Sequence, residues 1–299
     1  MFDIRIGTLI PAEHALSMIP QLNPHGFESY QLNFRPEFVH TVDLQKFGKQ
    51  ISELLGDRPV CFGIYGNTLQ NEILRSALEK LIRFAPQMNC TVIGLFAGSN
   101  PQKSVPDTIP EFKAIFDPLC KLSEENGVRL ALEGCGNNWN GPFQNIAYGP
   151  AAWELIFNAV TSDALTLEWE PCHALEHLAK PIPQLRRWAG KVSHVHGKDA
   201  TIAWDVIDEY GIDSGKPYLW NRTPGFGDTN WADVFTVLLQ AGFTGCCNIE
   251  GYHDPVHYDD LEWSAQLTAL QHLKNCRGGQ TFFPGPEEYR GYQPPRRPR

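Results

Sequence analysis

The sequence predicts an α/β chain closed into a single-domain (β/α)8 TIM barrel. Three observations predict it. Eight short apolar runs alternate with stretches of helical periodicity, which implies parallel pairing through right-handed crossovers. Four consecutive runs in the second half end in a carboxylate or a histidine, each followed within a residue by a breaker or a loop. The length of 299 residues suits a barrel as one unit. An open doubly wound sheet is the competing fold. It would spread the four strand ends along a line, and no glycine-rich phosphate turn follows the first strand.

In chain order, residues 4–9 read as the first strand and 12–22 as a short helix closed by Asn23-Pro-His-Gly26. Residues 27–33 are the second strand and 43–55 a helix. Residues 59–65 are the third strand, and Asn67 is placed to cap a helix from about Leu69 to Phe84. That helix gathers Leu74, Leu78, Leu81 and Ile82 on one side. Residues 90–96 are the fourth strand. A polar loop holding three prolines spans 99–110 and a helix follows to Asn126, with Gly127 at its C-terminus. The fifth strand is Arg129-Leu-Ala-Leu-Glu133. A long loop leads to a helix over 150–160 with proline in its first turn. The sixth strand, Leu165-Thr-Leu-Glu-Trp-Glu170, precedes a helical stretch over 175–189 that Pro181 and Pro183 must break. The seventh is Val192-Ser-His-Val-His196, whose alternation points both histidines the same way. The longest connection, 197–229, exceeds what a bland turn needs. A helix over 231–241, the eighth strand Cys246-Cys-Asn-Ile-Glu250 and a helix over 259–273 complete the barrel, which is bounded at residues 1–277. Residues 278–299, rich in Pro, Gly and Arg, read as an extended tail packed on a surface or a neighbouring subunit.

Composition narrows the function. The formal charge is −9 and no basic stripe precedes the tail, which disfavours nucleic acid. No run of about 18 apolar residues is present, so no membrane span is expected. The first residues begin directly with a strand pattern rather than a signal peptide. Eight scattered cysteines, none in a C-x-x-C, read as reduced structural thiols in a cytoplasmic protein.

A barrel places all strand carboxyl ends on one face, where active sites of this fold sit. Glu133, Glu170, His196 and Glu250 are therefore expected on one rim. Each acidic residue alone reads equally well as a solvated loop starter. Four on adjacent strands ask for a divalent cation. Three carboxylates and one imidazole form a mostly hard set that suits Mn²⁺, Mg²⁺ or Co²⁺ better than structural Zn²⁺. Glu168, His194 and Asn248 share inward parity with the ligands two residues later and are expected to orient them. Trp139, Trp220 and Phe226 are candidate apolar walls.

With these passages, the chain resembles the xylose-isomerase-like barrels of sugar phosphate isomerases and epimerases. The resemblance is carried by Leu130-Ala-Leu-Glu133, Asn145-Ile-Ala-Tyr-Gly-Pro-Ala-Ala-Trp153, Glu170-Pro-Cys-His173 and His194-Val-His-Gly-Lys-Asp199. Further support comes from Arg222-Thr-Pro-Gly-Phe-Gly227 with Trp231, and from Ile249-Glu250 with His253-Asp-Pro255. It covers residues 125–275 well and the first half by general pattern. It implies one divalent ion, foremost Mn²⁺, on Glu133, Glu170, His196 and Glu250. It also implies Glu133 and Glu250 as acid and base, and a sugar or polyol substrate passing through a metal-stabilised enediolate. His173 would bind a substrate oxygen, the alternative being a helix cap or surface histidine. Lys198 either polarises a substrate oxygen or pairs with a nearby carboxylate. Arg222 either reaches over the pocket or lies on the surface beside Trp220. Glu170 departs from the usual Asp, and its extra methylene moves the carboxylate outward by about 1.5 Å. Gln31 stands where relatives often carry Glu. A keto-inositol dehydratase on the same metal set, an abasic-site endonuclease and a non-catalytic sugar-binding barrel are the alternatives. The endonuclease needs more histidines than the early strand ends Leu9, Asn33, Tyr65 and Phe96 provide. A homo-oligomer is compatible with the tail.

Overall fold

The computed structural model of the chain describes residues 4–136 and 145–278. Eight parallel strands close into a barrel: β1 (Arg5–Pro11), β2 (Tyr30–Asn33), β3 (Val60–Ile64), β4 (Val92–Leu95), β5 (Arg129–Glu133), β6 (Leu165–Trp169), β7 (Val192–Gly197) and β10 (Cys246–Ile249). β10 pairs with both β7 and β1, which shuts the ring. The remaining pair, β8 (Asp199–Ile202) and β9 (Leu219–Arg222), forms an antiparallel ribbon within the connection that follows β7.

Helices ring the barrel: α1 (Ala15–Leu22), α2 (Pro36–Thr41), α3 (Leu44–Leu55), α4 (Glu72–Phe84), α5 (Val105–Glu125), α6 (Pro150–Ala159), α7 (Pro171–Glu176), α8 (Pro181–Trp188), α9 (Trp204–Tyr210), α10 (Trp231–Gln240) and α11 (Glu262–Arg277). Strand residues facing outward bury against these helices. Ile6, Phe62, Ile64, Leu130, Leu132, Leu167, Val195, Cys247 and Ile249 all fall in one hydrophobic core. Phe34 sets its ring edge-on to Phe62 at 5.1 Å and to Phe47 at 6.0 Å, tying β3 and α3 to the end of β2.

Alternation then sends the other residues into the barrel. At the floor, Cys61, Val92, Ala131 and Cys246 form a small separate cluster. Cys246 and Cys247 thus face opposite sides of their strand, as adjacent strand residues must. None of the eight cysteines is in a disulfide. Above the floor the interior turns polar, with Glu168, His194 and Asn248 all buried. Barrels usually fill this space with branched aliphatic side chains. Here Gly94 makes the room: a Cβ at that position would lie 2.6 Å from Glu168 Oε2 and 2.7 Å from the Tyr65 hydroxyl.

Several boundaries differ from the sequence reading. α4 starts at Glu72 and its cap is Asn71, whose side chain accepts from the Leu74 N–H at 3.0 Å. Asn67 instead accepts from the Leu69 and Ser99 N–H groups and shapes the preceding loop. α5 starts at Val105 rather than near 109. Ser104 caps it and Pro106 occupies its first turn, where no intrahelical N–H is required. Pro110 and Pro118 lie within it, and Phe112, Phe116, Leu119 and Cys120 bury its inner face. The stretch read as one broken helix over 175–189 holds the last two residues of α7, which starts earlier at Pro171, and then α8, which Pro181 opens. α2 was not anticipated. Among the described residues no helix is long and apolar enough to cross a membrane. The tail expected over 278–299 and the candidate wall Trp139 lie outside the described residues, apart from Gly278 itself.

Candidate metal centre

Glu133 is the last residue of β5, and His196 is the penultimate residue of β7. Glu170 and Glu250 each follow their strand by one residue. An irregularity between β6 and β7 shifts their register, so Leu167 pairs with Val192 but Glu168 with His194. Such bulges re-aim side chains at barrel rims. The four residues meet around one atom. His196 Nδ1 lies 3.1 Å from Glu250 Oε2, 3.3 Å from Glu170 Oε2 and 3.8 Å from Glu133 Oε2.

The other ring nitrogen is already engaged. His196 Nε2 lies 3.0 Å from Gln31 Oε1 and 3.1 Å from Glu168 Oε1. Both partners are acceptors, so Nε2 carries a proton and donates. Nδ1 is left facing three carboxylates, the orientation a metal-ligating imidazole requires. The remaining Glu168 oxygen accepts from the Tyr65 hydroxyl at 2.8 Å, and Tyr65 accepts from Gln31 Nε2 at 2.6 Å. His194 Nδ1 lies 2.6 Å from Glu168 Oε1. A buried chain of polar groups therefore locks the imidazole from below. Asn248, in the same interior layer, is bonded elsewhere: its Oδ1 accepts from Ser29 at 2.7 Å.

Three carboxylates are concentrated here under little solvent. Glu250 Oε2 is buried and meets His196 Nδ1 at 3.1 Å. Glu133, Glu170 and His196 each offer a donor atom, all within 4.8 Å of one another. Burial pushes the Glu133 carboxyl up to about 7. Burial acts on Glu250 too and is the largest single influence, but Lys198 and His196 together overcome it and hold that carboxyl below its ordinary value. For Glu170 burial is overcome by His173 and Lys198, which keep it well down. Overlapping groups with Cys135 or Cys172 also lie around His173. Burial raises both thiols, Cys135 to about 12, so they are protonated and poor ligands. The donor set left is oxygen and imidazole, which suits a hard divalent cation.

Glu170 is wholly enclosed. Its second oxygen accepts from the Cys172 thiol at 2.6 Å, which turns the extra methylene's reach toward the start of α7. His173, one turn into α7, lies 3.3 Å from Glu133 Oε1 and 3.3 Å from Glu170 Oε2. Lys198 donates to Glu250 Oε1 at 2.8 Å and lies 3.8 Å from Glu170. It does not pair with Asp199, which accepts from Trp231 Nε1 at 2.9 Å and from the Thr229 N–H at 3.0 Å.

A cavity of about 490 Å³ opens above this cluster, lined by Glu133, His173, His196, Lys198 and Glu250. Arg222 does not line it. Its side chain lies 3.5 Å from Asp254, while Leu219 and Asn221 of the same ribbon face the cavity. Trp220 is exposed and Phe226 packs against His257 with ring centres 4.3 Å apart, so neither forms a wall. Wall residues given no role from the sequence include Asn33, Tyr65, Glu176, Asn221 and His253. Asn33 and Tyr65 were visible as strand-end residues on the early strands. Glu176 follows His173 by three positions and could have been placed on the same helical face.

The comparisons with known proteins agree with the barrel. A family profile described as the xylose isomerase-like TIM barrel matches residues 21–276. The chain belongs to that family. None of the curated protein sequences matches it. Among solved structures it is similar to a xylose isomerase domain protein from Planctomyces limnophilus, at 20% identity and a TM-score of 0.69, covering 93% of this chain and 98% of that one. It is also similar to the 3-keto-D-glucoside 4-epimerase YcjR of E. coli, at 14% identity and a TM-score of 0.67, covering 91% and 100%. A D-psicose 3-epimerase crystallised with D-fructose gives 14% and 0.65, covering 92% and 100%. At these identities the likeness establishes the barrel.

Proposed function

We propose that the protein is a divalent-metal-dependent sugar isomerase or epimerase working by carboxylate-mediated proton transfer. One observation carries the proposal. Three carboxylate oxygens converge on one nitrogen of an imidazole whose other nitrogen is engaged from below by Gln31 and Glu168, at the base of a cavity sized for a small ligand. The epimerases among the solved neighbours lend support at the level of fold.

Glu133, Glu170, His196 and Glu250 are assigned to hold one cation, with Mn²⁺ the expected ion. When bound, it supplies the Lewis acidity that makes the C–H between a carbonyl and a hydroxyl acidic. Glu133 and Glu250 come from strands separated by β6 and β7, so they approach the cavity from different sides. One removes the proton and the other returns it. Lys198 keeps Glu250 ionised and ready to accept. His173 and Lys198 are placed to hold substrate oxygens, as both line the cavity. Arg222 acts at one remove, by fixing the ribbon through Asp254.

The test is turnover of ketoses by the Mn²⁺-loaded protein in deuterated water. The proposal predicts deuterium at the carbon next to the carbonyl. Turnover without deuterium at that carbon would favour a hydride shift and contradict the two-glutamate scheme. Loss of water instead of inversion would identify a dehydratase.

A further inference from the structure

The cavity above the carboxylates has a neighbour. A second cleft of about 560 Å³ shares Leu9, Asn33, Tyr65, Glu250 and Tyr252 with it, so the two are lobes of one depression. It extends toward α1 and the start of α11. Each lobe alone has the volume of an ordinary ligand site. A single hexose reacting between Glu133 and Glu250 occupies the first and leaves the second free.

The lining of the second lobe is selective. Trp263 presents its indole, 45% exposed, and Met18 and Phe34 extend the apolar side. Glu13, Arg35 and Gln266 supply its polar lining. Arg35 Nε lies 3.8 Å from Glu13 Oε1. Glu13 Oε2 is buried and has no hydrogen-bond partner among the described residues, an acceptor left waiting for a donor. Gln266 is held in place by the Thr8 hydroxyl, which donates to its Oε1 at 2.6 Å. An indole face beside a carboxylate, an amide and a guanidinium suits a pyranose. Its C–H face packs on the ring and its hydroxyls donate to Glu13 and accept from Arg35. A purely apolar group would leave the Glu13 oxygen desolvated and unpaired. A phosphate would meet three carboxylates, Glu13, Glu250 and Glu262, against the one guanidinium of Arg35.

We propose that this lobe is a second sugar subsite, and that the substrate is a two-ring glycoside whose linked ring lies on Trp263. The assignment of the reacting ring to the first lobe rests on the function proposed above. The experiment is calorimetric titration of the Mn²⁺-loaded full-length protein with D-glucose, maltose, cellobiose and phenyl β-D-glucoside. At least one disaccharide is expected to bind tenfold or more tightly than glucose. Trp263→Ala and Glu13→Gln should each return its affinity to the glucose level without changing glucose binding, and Trp263→Phe should retain most of the gain. Equal affinities, no binding by any of the four, or a gain confined to the phenyl glucoside would overturn the subsite. Equal loss of both sugars in Trp263→Ala would do the same. A ketose that turns over without deuterium uptake would refute the proton-transfer chemistry and leave the affinity difference standing, so the two failures are distinguishable.

Discussion

At the residue scale, the account rests on His196 and what holds it. Glu168, Gln31 and Tyr65 engage Nε2 of His196, and so decide which nitrogen faces the three glutamates of the rim. Orienting partners of this kind typically contribute about 10–100-fold to metal affinity. Glu168→Gln is therefore expected to weaken Mn²⁺ binding by about that factor with the fold intact, as read by titration and circular dichroism. Unchanged affinity would show that the imidazole needs no such support. Glu133→Gln and Glu250→Gln each keep a carbonyl oxygen for the ion and remove a base. General-base loss costs about 10²–10⁴ in rate, so both variants should lose most turnover while some metal binding persists. A fully active Glu250→Gln enzyme would move the proton transfer to another group. The four strand-end residues were legible because a parallel barrel sends every strand's last residues to one face, and alternation selects which point inward. What Lys198 does was not legible. Its neighbour Asp199 is the nearest acid in sequence, but the strand's direction turns the lysine to Glu250 and the aspartate to Trp231.

At the element scale, the connection after β7 is the part least visible in sequence. Its length signalled function, but a ribbon of β8 and β9 separated by a short helix has no strong local code. It depends on long-range partners, chiefly Asp254 in the loop after β10. That carboxylate accepts from the N–H groups of Thr223, Val256 and His257 at 2.8, 2.9 and 3.0 Å. Burial opposes its charge, but those three donors and Arg222 overcome it and hold the carboxyl at about 2. Its ordinary value is 3.8, so the folded form binds its proton less readily than the unfolded form. The resulting stabilisation, at most roughly 2 kcal/mol and reduced by solvent screening, is complete above the unfolded value and is lost as pH falls through about 2. Asp254→Asn should thus be less stable than the parent by about that amount between pH 5 and 8. The gap should narrow as pH falls below about 4 and close near pH 2 in denaturant titrations. A gap independent of pH would assign Asp254 a packing role only. The starts of α4 and α5 were misplaced for a related reason. Asn67 and Asn71 are both good caps by type, and only the tertiary contact of Asn67 with Ser99 separates them. Similarly, prolines at 106 and 110 signalled a loop, whereas a long buried face sustains the helix through them.

At the scale of the whole molecule, the barrel gives up part of its usual aliphatic filling for a polar interior. Gly94 and the bulge between β6 and β7 create the space, and Glu168, His194 and Asn248 occupy it. That interior supports a rim where three carboxylates meet one imidazole, and the arrangement calls for positive charge. An ion that binds only the folded chain stabilises it by mass action, by about 2.7 kcal/mol at a hundredfold excess over Kd. The melting temperature should therefore rise with Mn²⁺ concentration in the parent and stay flat in His196→Ala. The central claim is that Glu133, Glu170, His196 and Glu250 form one site for one hard divalent cation. Titration of the metal-stripped protein with Mn²⁺, followed by calorimetry and by elemental analysis of the dialysed complex, tests it directly. The account predicts about one ion per chain in the parent and none retained in His196→Ala. Several equivalents of tightly held zinc, or Mn²⁺ binding undiminished by the substitution, would contradict it.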